Sequence, residues 1–147
     1  MEIEAALHAL SMRYARGVDR RDAEMFVSAF HPDARVRVYS PSESSEPRSE
    51  LTGHSELAKI PELIRVYAKT FHFVGNSAYD IADGRATGEV YCLAHHLTPD
   101  RHGGTNYVMY IRYQDRYHPG PDGVWKIADR RVLIDWTEVR PANTAGR

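Results

Sequence analysis

The sequence predicts an α+β fold from three observations. Helical periodicity is confined to the first half of the chain, strand periodicity fills the second half, and the composition is that of an ordinary globular protein. Of 147 residues, 42% are hydrophobic and 27% charged, with 19 basic against 20 acidic side chains. This length suits a single domain over 1–147, with a core over about 5–137 and a short C-terminal tail. The balanced charge leaves no electrostatic footprint for nucleic acid. A lone cysteine, Cys92, cannot form an internal disulfide, and no leader or long apolar run marks a signal peptide or membrane span. The expectation is therefore a cytoplasmic protein without a membrane or nucleic-acid partner.

The elements follow in order. Ile3, Leu7, Leu10 and Tyr14 recur at helical steps, so a first helix over 2–17 turns one apolar face, with Tyr14 on it, toward the core. Gly17 is placed to end it, and Asp22 to start a second helix over 22–30. Pro32 stops that helix, and Arg35 to Tyr39 alternates as a half-buried strand. The stretch from Ser40 to Arg48 reads as a solvated loop. A third helix is predicted from Thr52-Gly53 to about Ala68, with Leu57, Ile60, Leu63, Ile64 and Tyr67 along its apolar face. Pro61 marks a kink or a break in it. From Thr70 the pattern is strands: 70–74, 78–81, a turn at Asp83-Gly84, then 86–97, 107–117 and 124–139. Leu7, Leu10, Phe26, Leu63 and Ile64 are predicted to be buried. The strand from Tyr107 to Tyr113 sets Tyr107, Met109, Ile111 and Tyr113 on one face against Val108 and Tyr110 on the other.

Asp19 lies five residues after Tyr14, where a carboxylate can look into whatever the helices cover. Buried there it needs a partner, because an unpaired buried carboxylate costs several kcal/mol or gives up its charge. His72 is the best candidate. Neighbouring strand residues face opposite ways, so only one of His95 and His96 can enter a pocket. His96 shares its face with Val90, Cys92 and Ala94, a small apolar set suited to a cavity wall. Arg130 shares parity with Ala128, Val132 and Ile134, whereas Arg131 does not. No paired ligand spacing supports a metal site, and Cys92 reads as packing.

These residues carry a family resemblance. The run from Tyr14 through Asp19 to Asp22 with Phe26, Phe30 to Ala34, Gly53-His54, His72 to Asn76, Tyr113 to Arg116, and Gly123 to Ile127 with Arg130 to Val132 resembles the SnoaL-like branch of the nuclear-transport-factor-like superfamily. The resemblance spans about residues 5 to 137. It implies a cone-shaped barrel, a bent antiparallel sheet wrapped around three N-terminal helices, with a pocket on the concave face and often a homodimer or higher homo-oligomer. Its members include scytalone dehydratase, a bile-acid dehydratase, a dehydrochlorinase, polyketide cyclases, ketosteroid isomerases and proteins that only bind. By that likeness Tyr14, Asp19 and His72 are the candidate catalytic residues, His96 and Arg130 the candidate substrate-binding residues, and no cofactor is implied.

The chemistry is coherent. Asp19 accepting from one ring nitrogen fixes the His72 tautomer and leaves the other nitrogen to take a proton beside a carbonyl or leaving group. Tyr14 would donate to developing oxygen charge, and Arg130 or Arg131 would meet a substrate oxygen or leaving group. Each residue has a structural alternative: Asp19 as a helix cap or solvated turn, His72 as a satisfied strand residue, Tyr14 as core, His96 at a solvated strand end, Arg130 in an outer-face salt bridge. Two classes follow. One is a cofactor-free dehydratase-type lyase on a small apolar hydroxylated or ketonic substrate, with isomerase or cyclase chemistry on the same scaffold. The other is a noncatalytic ligand-binding member. Isomerisation ranks below elimination, since no strand carboxylate is evident at the pocket-facing positions.

Overall fold

The computed structural model describes residues 2–144, so Met1 and residues 145–147 of the tail lie outside the described residues. Helix α1 spans Glu2–Asp19 and buries Leu7, Leu10, Tyr14 and Val18, while Ile3 at its start stays exposed. Gly17 does not end it. The helix runs two residues further and closes in a Schellman arrangement, in which Arg21 N–H donates to Val18 O and Asp22 N–H to Gly17 O, with Arg21 at φ 56°. Gly17 serves close packing instead. A Cβ there would meet the backbone N and Cα of Phe26 at 2.7 Å, so α2 (Ala23–Val27) can cross α1 only over a glycine. Asp22 caps α2 by accepting from Met25 N–H.

Strand β1 (Phe30–Tyr39) begins immediately after α2, and the loop from Ser40 leads to a short β2 (Ser49–Thr52) that sequence periodicity missed. The predicted third helix is broken into α3 (His54–Leu57), α4 (Ile60–Leu63) and a 3₁₀ turn (Ile64–Val66). Pro61 explains the break: without an N–H it cannot continue a helix, but it fits the first turn of a new one. The apolar period counted through Pro61 therefore fails beyond it. Leu57 is buried and Ile64 half-buried, but Leu63 is 66% exposed, against the expectation of burial.

The remaining strands are β3 (Lys69–Ala82), β4 (Arg85–Asp100), β5 (Gly103–Pro119) and β6 (Trp125–Pro141). Thr70–Val74 and Ala78–Ile81 join in one strand through a bulge between Val74 and Ser77. All six strands form one open sheet ordered β2-β1-β6-β5-β4-β3. Its long meander is antiparallel, but β1 and β6 pair in parallel, since β1 returns to the sheet from the far end of the chain. Further bulges near Tyr110 and Arg116 bend the sheet around α1.

Cross-strand partners fix the faces. His72 pairs with Ala94 and Ala94 with Met109; Thr70 pairs with His96 and His96 with Tyr107; Asp115 pairs with Arg130. These residues share the concave face with Val90, Cys92, Ile111, Tyr113 and Val132, all buried in the core. Phe71, Phe73, Tyr91, Tyr110 and Trp136 stand on the opposite face.

Candidate functional site

The last turn of α1 meets the free edge of the sheet at β3, and Asp19 sits at that meeting. Its Oδ1 lies 2.7 Å from His72 Nδ1 and accepts from Thr70 Oγ1 at 2.9 Å, while its Oδ2 accepts from the backbone N–H of His72 at 2.8 Å. Arg21 stands behind, donating to Thr70 Oγ1 at 2.7 Å and to the carbonyls of Val18 and Tyr67. Burial pushes the Asp19 pKa up, but hydrogen bonds and charge from His72, with the Thr70 hydroxyl, outweigh it and hold the carboxyl below its ordinary value. The carboxylate is ionised and accepts three hydrogen bonds. The His72 side chain is only 7% exposed.

Beside this pair a groove of about 710 Å³ runs along the seam of α1 and β3, with Met12, Ala15, Asp19, Thr70, His72 and Val74 in its wall. Its size is that of a small-molecule site. His96 lies beyond it, buried, its ring 6.0 Å from that of His72 and 4.8 Å from Tyr67. His96 Nδ1 is 3.0 Å from the Tyr107 carbonyl and donates to it, and burial lowers its pKa. The ring is neutral, with Nε2 free to accept. His95 faces the other way, where Asn106 meets its ring.

Tyr14 and Arg130 lie deeper on the concave face. The Tyr14 ring packs against Phe26, Phe30 and Tyr113, and burial raises its pKa, so the phenol stays protonated. Arg130, fully buried, lies over the rings of Tyr14 at 4.4 Å and Tyr113 at 4.0 Å. Arg130 Nε and Nη2 donate to Asp115 at 2.8 and 2.7 Å, and Nη2 also donates to Ser11 Oγ. Burial alone would lower the Arg130 pKa, but the Asp115 carboxylate reverses that and keeps it charged. Nη1 has no hydrogen-bond partner among the described residues. Arg131 points to the outer face, over Tyr39 and bonded to Gln114.

Asp115 is the residue sequence reasoning missed. It is an inward-facing strand carboxylate, which corrects the expectation that the concave face has none. It is tied up by Arg130 and by the Tyr117 hydroxyl at 2.6 Å. Its strand parity with Tyr113 was the available signal, and the register of β5 on β6 adds its partner Arg130. Cys92 is buried and its thiol is pushed up to about 11 by burial, which suits packing rather than chemistry. No group of three or more metal-binding side chains occurs among the described residues, and none of their helices is long and apolar enough to cross a membrane.

The curled sheet with its covering first helix has known counterparts. A family model described as the SnoaL-like domain matches residues 1–131. The chain belongs to the SnoaL-like family. No curated protein matches it. Among solved structures, this SnoaL-like chain is similar to a provisionally assigned scytalone dehydratase from Novosphingobium aromaticivorans DSM 12444, at 24% identity, TM-score 0.76, covering 98% of this chain and 93% of that one. A hexachlorocyclohexane dehydrochlorinase, LinA-type3 from Novosphingobium barchaimii LL02, matches at 18% identity and TM-score 0.76, covering 99% and 92%. Rv3472 of Mycobacterium tuberculosis, of unknown function, matches at 21% identity and TM-score 0.73, covering 89% and 70%. At these identities the likeness is one of fold.

The depressed Asp19 pKa has a consequence for stability. The ionised carboxylate is favoured in the folded state, so its contribution is complete above the unfolded value of about 4 and is lost as pH falls through the lower folded value. Urea midpoints of the wild type and Asp19→Asn should differ most above about pH 5 and converge toward pH 2. A gap that stays constant with pH would show that the charge contributes nothing.

Proposed function

We propose that this SnoaL-like chain is a single-domain, cytoplasmic, cofactor-free lyase that eliminates water or a comparable leaving group from a small, largely apolar hydroxylated or ketonic substrate. The 2.7 Å contact between Asp19 and His72, with Asp19 held ionised at the wall of a groove, carries this reading. An ionised Asp19 accepts a hydrogen bond from Nδ1–H, so the lone pair of His72 is on Nε2. That nitrogen removes a proton beside the substrate carbonyl. The C–H electron pair becomes the new double bond, the C–O bond breaks, and the leaving hydroxyl takes a proton from the His72 imidazolium and departs as water, which returns the ring to its neutral form. Asp19 balances the imidazolium that forms. Tyr14, as a protonated phenol, and the unpartnered Nη1 of Arg130 are the donors for oxygen charge deeper in the site. His96, accepting at Nε2, would position a substrate hydroxyl.

Isomerisation or polyketide-type cyclisation needs the same base and differs in where the proton returns. The one inward strand carboxylate, Asp115, is consumed by Arg130 and Tyr117, so elimination stays ahead of isomerisation through such a residue. A noncatalytic binding role is supported by a different observation: Asp19 also closes the backbone of β3, and the Tyr14 ring and the Arg130 guanidinium pack on one another in the core.

We also propose a homodimer through the outer sheet face, where Phe71, Phe73 and Trp136 are 63%, 61% and 54% exposed and Trp136 stacks on Tyr110 at 4.2 Å. An apolar patch of this kind marks an interface. Sedimentation at micromolar concentration should give a dimer or larger species, and a monomer would contradict the interface.

A panel of aryl β-hydroxy ketones, followed by enone absorbance and by exchange of the α-proton with solvent deuterium, tests the chemistry. The wild type should turn over at least one member. His72→Ala should lose about 10²–10⁴-fold of that rate with an unchanged circular dichroism spectrum. Asp19→Asn should lose much of it by admitting the wrong tautomer, and Tyr14→Phe about 2–4 kcal/mol of barrier at most. Binding without exchange across the panel would put the noncatalytic reading ahead.

A further inference from the structure

The groove beside Asp19 and His72 has a charge balance unlike that of the chain. Across the sequence 19 basic side chains nearly cancel 20 acidic ones. The groove, however, is lined by Arg16, Arg20, Arg21 and Lys69 against one carboxylate, Asp19. Asp19 is engaged by His72 and Thr70, and Arg21 by Thr70 and backbone carbonyls. The other three cations form no salt bridge among the described residues, and all three are exposed. Glu62 is paired with Arg65, while Asp22, the cap of α2, and Glu24 lie with Arg13 and Arg16 along the neighbouring surface without a salt bridge to Arg16, so Arg20 and Lys69 are the cations farthest from compensation.

Three cations in the lining of the groove give it a positive field, which low-dielectric walls strengthen. Met12, Ala15 and Val74 supply such an apolar wall. A neutral ligand would gain nothing from the cations, whereas an anion with an apolar body uses both features. Resting on the reading that this groove is the substrate site, we propose that its ligand is a small apolar anion. Its carboxylate or phosphate lies among Arg16, Arg20 and Lys69, and its apolar body reaches toward His72. The cations select and orient the ligand and take no part in proton transfer.

Three matched probes test this: 1-naphthoate, 1-naphthyl phosphate and the neutral 1-acetonaphthone. Their affinities are measured by calorimetry on the wild type, on His72→Ala and on the triple variant R16Q/R20Q/K69Q, with amide resonances of Lys69 and His72 reporting location. At low ionic strength at least one anion should bind tenfold or more tightly than the ketone, and should shift those resonances. The advantage should fall away in 0.5 M salt and in the triple variant, since exposed charges are screened. The tighter anion identifies the charged group. Equal affinities, no anion binding below millimolar, shifts confined elsewhere, or an advantage that survives in the triple variant would each overturn the proposal. Binding needs no proton transfer, so the preference should persist in His72→Ala even if the lyase reading fails, and its absence would leave that reading standing.

Discussion

At the edge of an open sheet the outward backbone N–H groups have no strand partner, and one such edge here is β3, beside the last turn of α1. One of these N–H groups, on His72, is closed by the side chain of Asp19. The same carboxylate takes the His72 ring and the Thr70 hydroxyl, so three donors from one edge converge on a single residue of the helix. This contact positions the helix end, blunts the edge and fixes the imidazole together. The helix end is itself set by Arg21 in the left-handed region, whose guanidinium then reaches back to Thr70. Structural and chemical roles are therefore not separable at Asp19.

A second constraint holds the concave face from within. Arg130 and Asp115 are both fully buried, and such a pair repays its desolvation only with good geometry and further hydrogen bonds. It has them: a two-pronged contact, Ser11 and Tyr117 at its ends, and two aromatic rings on the guanidinium. Ser11 and Tyr14 belong to α1, so this cluster fastens the helix to the middle of the sheet while Asp19 fastens it to the edge. With α1 held at both points, the seam between helix and edge strand forms a groove of stable shape.

Local patterns were the part of this architecture readable from the sequence. The Leu7, Leu10 and Tyr14 face, the Asp22 cap and the Asp83-Gly84 turn, with φ of 53° and 72°, are set by neighbours in the chain. Strand parity favoured His96 and Arg130 as the inward residues and left His95 and Arg131 as alternatives, which the register of the sheet turns outward. What was not readable depends on contacts distant in sequence. Asp115 shares strand parity with Tyr113, but the partner that lets it be buried, Arg130, comes only with β6, and the parallel pairing of β1 with β6 leaves no local trace. Leu63 failed for another reason: a helical period extended past Pro61 assigns a face to a residue that no longer belongs to that helix. Thr70 and Arg21, which complete the Asp19 cluster, carry no signal of their own.

The chemical account turns on which nitrogen of His72 carries the proton. Protein labelled with ¹⁵N at histidine, observed through two-bond proton–nitrogen couplings at a pH where the ring is neutral, reads this directly. The account predicts that Nδ1, facing Asp19, is protonated and that Nε2 is bare, with the assignment scrambled or reversed in Asp19→Asn. A His72 ring protonated at Nε2 in the wild type would contradict it, because the nitrogen not held by Asp19 would then be a donor and not a base.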